Sequence, residues 1–460
     1  MKPIIIGLAS AALMATATLA QQPAMPTNAQ ITQILTDRID RDQANVGIAV
    51  AVIEAGVPRF VSYGTLDTGD STPVDEHTLF EAGSITKVMT NVLLAQQVVA
   101  GRIDLDAPLT DYLPAGTILP ERDGKAITAF DLATHSAGFS GLPRAIMAKG
   151  PANPYSGYDA KALMTWISEY QLPRPIGAKF EYSNVGIALL AQAVIHVSGM
   201  SYADLLQQEI LDPLAMTETF LATTGEPIAG MASGHDAAGD EVPHWDMDAF
   251  APVGGLVTSA ADLAKFIAAA SGQVQSPLAP AFAIMLDRTR PAGSPDQTVG
   301  LGWFNLMEGG RDIAWHNGIT GGFRSFAGFD RDSGNGVVVL SNMVTDSGIE
   351  DIGLHLLDST LPLQPQPTRR EAVTVDPAIL ATHVGTYELA PGVTITIAQE
   401  ENRLFAQLTG QQRLAIFPES DNRFFFRAVD AQITFGTDDK GVATLTLHQN
   451  GLDQVATRVE

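Results

Sequence analysis

The first apolar pattern in the chain is helical. Residues 28–42 (NAQITQILTDRIDRD) carry apolar positions at helix spacing. The period then changes. VGIAVAVI (46–53) and RFVSY (59–63) are rich in β-formers, and Ala55-Gly56 between them supplies a turn. A long mixed region with several helical stretches follows. Within it, Ser259-Ala260-Ala261-Asp262 reads as a capping box with Asp in the Glu position, opening a helix through Ala269. Strand character returns near residue 322, where FRSFAGFD and GVVVLSN flank Arg331 to Asn335, a turn by composition. GIEDIGLHLLDSTL then reads as a helix. Strands at both ends bracket a helical middle. This order predicts one sheet built from distant parts of the chain, with helices packed on it.

A break follows at 361–371 (LPLQPQPTRRE), where prolines among polar residues read as a semi-rigid linker. Beyond it, VTITI, RLFAQL, RLAIF, RFFFRA, QITFG and ATLTLH are short alternating strands. Pro391-Gly392, Thr409-Gly410, Lys440-Gly441 and Asn450-Gly451 punctuate them, which predicts a small antiparallel barrel or sandwich. In Phe424-Phe425-Phe426, alternate rings are expected in the core. The expected organisation is therefore a domain over 28–360, a linker over 361–371 and a β domain over 372–460.

The first 20 residues stand apart. Lys2, an apolar run from Ile4 to Leu13 and small residues at Thr18 and Ala20 predict a cleavable export signal. The run falls short of the ~20 residues a membrane span needs. The expected location is the periplasm or the exterior of a bacterium. No later stretch reads as a span.

Composition narrows the function. Apolar residues make up 45% and charged residues 17% of the 460, so a sizeable core is available. With 27 basic against 51 acidic residues the net charge is −24, which argues against a nucleic-acid partner. Zero cysteines remove disulfides, thiol nucleophiles and thiolate metal sites. There is no G-x-S-x-G and no H-E-x-x-H. His235-Asp236 and His244-x-Asp246 lie in an irregular stretch, about 223–250, that suits an active-site wall better than a metal site. No metal or organic cofactor is expected, and the partner is a small-molecule or peptide substrate.

Three short motifs carry chemistry. Ser84-Ile85-Thr86-Lys87 opens a helical pattern that stops at Gly101. Ser84 and Lys87 are three apart and share a helix face. A serine hydroxyl is a weak nucleophile until a neighbour takes its proton, and a desolvated lysine can do so. Tyr182-Ser183-Asn184 precedes another helical run. A phenol near a cationic amine has a lowered pKa and can carry a proton, and Asn184 can grip a substrate amide. His316-Asn317-Gly318 stands before Ile319-Thr320-Gly321-Gly322, at the front of a strand. Gly318 would let a substrate backbone lie against an edge strand, and the N–H groups of Ser84 and Ile319 could form a two-donor oxyanion hole.

Taken together, S-x-x-K, Y-x-N and H-x-G in this order resemble the serine β-lactamase and penicillin-binding superfamily. The chain is most similar to class C β-lactamases and exported D-alanyl-D-alanine carboxypeptidases. DLATHSAGFSGLP (131–143), the helical stretch after Tyr182-Ser183-Asn184, APVGGLVTSAADLAKF and GLGW (300–303) add to the likeness. It covers roughly residues 28–360. The C-terminal segment resembles, more loosely, the barrel appended to some D-aminopeptidase-like members.

The resemblance implies an α/β (α+β) β-lactamase-like fold: an antiparallel sheet flanked by helices, an all-helical region, and the small C-terminal barrel. It implies that Ser84 is acylated, that Lys87 and Tyr182 share the base role, and that Tyr182 returns the proton to the leaving nitrogen. It implies that Asn184 holds the acylamide, that His316 and Gly318 line the substrate site, and that Ser84 and Ile319 donate to the oxyanion. Which of Lys87 and Tyr182 is the base stays open. One departure matters. Class C enzymes usually carry Lys-Thr-Gly where this chain has His316-Asn317-Gly318, and a histidine there is more typical of carboxypeptidase, D-aminopeptidase and esterase relatives. A histidine near pKa 6.5 is mostly neutral at pH 7, so the substrate need not carry a carboxylate. The expected function is an exported serine hydrolase acting on β-lactam or D-amino-acid amide bonds. The alternatives are a carboxylesterase for small acyl esters and a penicillin-binding sensor without turnover.

Overall fold

The computed structural model describes residues 24–459 except 140, 223–227, 309, 346, 367–371, 428 and 450. The expected export signal and part of the expected linker lie outside the described residues.

Eight strands form one antiparallel sheet. Their order across it is Val57–Gly64, Gly47–Glu54, Gly336–Ser341, Arg324–Asp330, Arg311–Ile319, Phe304–Glu308, Ser294–Val299 and Arg290–Ala292. The two ends of the domain meet as the second and third strands of the sheet, with Ile48 opposite Ser341 and Ile53 opposite Gly336. Both faces of this pair are covered. Ile48, Val50, Val52, Val337 and Val339 pack under the helices Asn28–Thr36 and Glu350–Leu357. Ala49, Ala51, Ile53, Val338 and Leu340 join the larger core beneath the helix Ala260–Ala270 and the helical region. Burial on both faces is why VGIAVAVI reads as an unbroken apolar run and not as an alternation.

The helical region holds the long buried helices Thr86–Val99 and Asn184–Ser198. Among the described residues no single helix is long and apolar enough to cross a membrane.

Two local expectations change. The returning strands of the main sheet begin at Arg290, well before residue 322, because Ser294–Val299 is a largely exposed polar strand with no apolar alternation to betray it. The capping box at Ser259 forms only half. Ser259 Oγ accepts the N–H of Asp262, but the Asp262 carboxylate takes the N–H of Glu218 at 2.7 Å and the hydroxyl of Thr219 at 2.9 Å. A tertiary partner outcompetes the local one.

The C-terminal domain is a closed barrel of eight antiparallel strands, Gly385–Ala390 through Leu452–Arg458. Closure pairs Tyr387 with Arg458. Its interior is filled by side chains such as Ile397, Leu404, Ile416, Phe424, Ile433 and Leu445. Phe424 points inward. Phe425 faces outward, pairs with Phe417 across the ladder, and is still buried. The Arg427 guanidinium lies 4.0 Å from the Phe417 ring centroid and donates to Ala238 O at 2.8 Å. Arg403 reaches Asp240 at 2.6 Å. The outer Phe face is thus a docking face, seated on the turn of the hairpin Gly234–His235 and Glu241–Val242.

Candidate active site

The nucleophile segment is a sharp join. Strand Phe80–Glu81 runs into a 3-10 turn, Gly83–Ile85, which feeds the helix Thr86–Val99. Gly83 has φ +52°, a backbone state that glycine adopts without strain. A Cβ there would stand 2.8 Å from Ile319 N, so the end of strand Arg311–Ile319 lies directly against the turn. Gly318 makes this approach possible, because a Cβ on it would come within 2.0 Å of Ala82 O. Ser325 Oγ donates to the same carbonyl at 2.7 Å and closes the seam. On the face where its Cβ would stand, Gly318 leaves room for the nucleophile turn. The third motif lies inside the strand Arg311–Ile319 and not in front of one. The ladder to Phe304–Glu308 ends at Trp315, so that side of residues 316–319 carries no further pairing.

Ser84 is half-buried within a buried stretch. Lys87 Nζ lies 2.6 Å from Ser84 Oγ and donates to Val253 O at 3.2 Å. Lys87 is 1% exposed, and this desolvation holds its amine well below the ordinary lysine value.

Tyr182 completes the trio. Lys87 Nζ sits 5.0 Å from the Tyr182 ring centroid, and the Tyr182 hydroxyl faces Ser84 closely enough for Ser84 to lower its pKa. Tyr182 is 38% exposed as a residue, while its hydroxyl end is desolvated beside Ser84. Its pKa is raised, where a lowering was expected. The physical reason is desolvation of the phenol, which its nearness to Ser84 only partly offsets and which Tyr155 reinforces.

His316 is 1% exposed and stands 6.4 Å from the Tyr182 ring, centroid to centroid. Its Nδ1 lies 2.6 Å from Asn317 O. Burial first and Lys87 second push its pKa down to about 3, so it is a neutral imidazole at neutral pH. Asn317 turns away and donates to Glu350 at 2.6 Å. Asn184 opens the helix Asn184–Ser198, with Ser183 as its N-cap. Its amide donates to the Tyr155 hydroxyl at 3.1 Å, while Oδ1 is buried without a partner.

The histidines considered as metal ligands have other partners. His235 is held by Asp67 at 2.9 Å and by Asn342 O at 3.0 Å. His244 bonds Glu81 at 3.0 Å and stacks on Phe323. Trp245, 5.7 Å from Tyr155 between centroids, belongs to the same wall.

One residue that the sequence did not single out joins the cluster. His135 packs its ring 4.5 Å from that of Tyr182, centroid to centroid. It is one of nine histidines and sits in an irregular loop, so periodicity carries no signal for it.

The chain is similar to known proteins over most of its length. The Beta-lactamase family model matches residues 29–359. A domain of unknown function (DUF3471) matches residues 369–458. A beta-lactamase from Pseudomonas fluorescens is 25% identical over 346 residues, 68% of this chain and 93% of its own. Penicillin-binding protein 4* from Bacillus subtilis (strain 168) is 25% identical over 434 residues, 87% of this chain and 92% of its own. The solved structure of an octameric penicillin-binding protein homologue from Pyrococcus abyssi has the same fold, with a TM-score of 0.64, 20% identity, and coverage of 93% of this chain and 99% of that one. The chain belongs to the beta-lactamase family of serine hydrolases.

Proposed function

We propose that the protein is an exported hydrolase that cleaves β-lactam or D-amino-acid amide bonds through an acyl-enzyme on Ser84. The observation that carries this is the 2.6 Å contact between Ser84 Oγ and a buried Lys87 amine. In its neutral form that amine accepts the serine proton as Oγ attacks the acyl carbon. The N–H groups of Ser84 and Ile319 hold the oxyanion. Collapse breaks the C–N bond, and Tyr182 hands a proton to the leaving nitrogen. Asn184 takes the acylamide, and His316 with Gly318 lines the leaving-group side. Water then attacks the ester and restores Ser84. Lys87 is the first proton acceptor and Tyr182 the relay, because burial favours the neutral amine and disfavours the phenolate. The hydrolase unit is 28–360, joined by 361–371 to the barrel unit, 372–460.

A second reading has its own support. His316 is held neutral, so it offers no charge for a substrate carboxylate. That favours esters and uncharged amides over carboxylate-bearing peptides, as in a small-ester carboxylesterase.

Intact-mass spectrometry with a fluorescent penicillin, a fluorophosphonate and D-alanyl peptides tests both. An adduct on Ser84 that appears and clears supports turnover. An adduct that persists with every penicillin and peptide supports a sensor instead. Release of p-nitrophenol from esters without nitrocefin hydrolysis selects the esterase. No adduct on Ser84 with any probe overturns the proposal.

A further inference from the structure

We infer that His135 is a positioning residue for Tyr182: its ring aims the phenol at Ser84. This rests on the reading of Ser84 and Tyr182 given above. His135 holds the Tyr182 segment at three points. Its backbone oxygen accepts the N–H of Glu181 at 2.8 Å. Its Nδ1 accepts the N–H of Ser183 at 3.1 Å. Between these two bonds the imidazole lies 4.5 Å from the Tyr182 ring, tilted by 34°. One residue thus grips both neighbours of Tyr182 and the ring itself. The far side of the ring is backed by Phe304 at 6.4 Å. Phe180 meets the His135 ring edge-on at 5.9 Å.

The fold sustains this arrangement against local preference. His135 sits at φ +51°, a left-handed state that is uncommon for a residue with a Cβ and that Asn or Gly adopts more readily. Its side chain is also buried, with 4% of the residue exposed. A loop chosen for turn geometry alone would carry Gly or Asn here. The imidazole supplies what those residues lack, a flat apolar face for the phenol together with an acceptor for Ser183 N–H. Because Nδ1 is an acceptor, the ring is neutral with its proton on Nε2. The same loop continues the clasp at Ser136, whose backbone oxygen accepts the N–H of Gly177 at 2.8 Å.

A misplacement of about 1 Å at a reacting group can slow a reaction by about 100-fold. The test is the rate constant of Ser84 labelling by a fluorophosphonate, followed by intact mass on the full chain. A rate constant reports how fast competent molecules react, so it does not move when only the folded fraction falls. His135→Asn keeps an acceptor and tolerates the left-handed backbone but removes the ring. Its labelling should slow by about ten- to a hundredfold, through the maximal rate and not through probe affinity. His135→Phe restores a ring and leaves Ser183 N–H unpaired. It should melt lower, yet label within about threefold of wild type. In the Tyr182→Phe background, His135→Asn should add no further slowing. Wild-type labelling in His135→Asn, or full additivity with Tyr182→Phe, overturns the inference. A wild-type protein that never labels at Ser84 overturns the parent reading instead.

Discussion

The eight-stranded sheet and the eight-stranded barrel use the same antiparallel ladder, and they differ in how the ladder ends. In the barrel, closure between Gly385–Ala390 and Leu452–Arg458 gives every strand a neighbour on both sides, and the interior is packed with side chains. In the sheet, pairing to Phe304–Glu308 stops at Trp315, and the strand continues to Ile319. That free stretch meets the turn that carries Ser84. The site forms where one unfinished ladder touches a foreign element, and Gly318 and Gly83 are the two positions that allow the touch. The barrel instead offers an outer face, Phe417 and Phe425 with Arg403 and Arg427, to the hairpin behind the site.

If this contrast is right, changes at the open ladder end act on chemistry, and changes at the barrel face act on assembly. Ser84→Ala should cut turnover by about 10⁵-fold with melting close to wild type. Retained turnover of nitrocefin or p-nitrophenyl esters refutes the nucleophile. Lys87→Met should slow acylation on the order of 10³-fold. It should also raise the melting temperature at pH 7. The unfolded amine stays protonated up to its ordinary value while burial holds the folded one well below it, so between the two the unfolded state binds more protons. Stability of the wild type therefore rises with pH across that window, and the advantage of Met shrinks as pH approaches the ordinary lysine value. A melting gain independent of pH would contradict this. Gly318→Ala should lose about 100-fold in rate, since its Cβ must push Ala82 O away and carry the Ser84 turn off Ile319.

His316 yields a prediction of stability and not of charge recognition. The unfolded imidazole titrates near 6.5 and the folded one at about 3. Between those values the unfolded state binds the extra proton, so stability falls as pH drops from 6.5 toward 3 and levels below it. His316→Gln should flatten part of that fall, measured by melting across pH 3–7. The buried His135, also held below its usual value, supplies a second part. An unchanged slope would show that His316 is charged in the fold. The smallest effect belongs to the barrel face. Arg403→Ala with Arg427→Ala should change turnover less than about threefold, because both side chains hold the barrel to the hairpin turn and neither touches Ser84, Lys87 or Tyr182. Its signature is a separate melting transition for the barrel, seen by calorimetry.

Some of this was legible in residue order. The hairpin at Ala55-Gly56, the Ser84–Lys87 spacing, the helical run after Tyr182-Ser183-Asn184 and the change of texture after the linker all rest on contacts a few residues apart. The early strands at 290–308 were not legible, because an exposed polar strand has no apolar rhythm. His135 was not legible either. Its role depends on the approach of a loop 48 residues before Ser183.

By itself the sequence determined which groups are present and which local shapes hold them: a serine and an amine one helical turn apart, a phenol before a capped helix, and a glycine where two backbones must meet. It also determined the contrast between an unbroken apolar strand early in the chain and the short alternating strands after the linker, which separates the sheet from the barrel. Tertiary structure alone decided the protonation states. Lys87, His135 and His316 are each shifted by burial among groups far away in the chain, and desolvation is a property of the surroundings that no spacing encodes. The same packing reversed the expected shift of Tyr182, because desolvation of its hydroxyl outweighs the help it takes from Ser84.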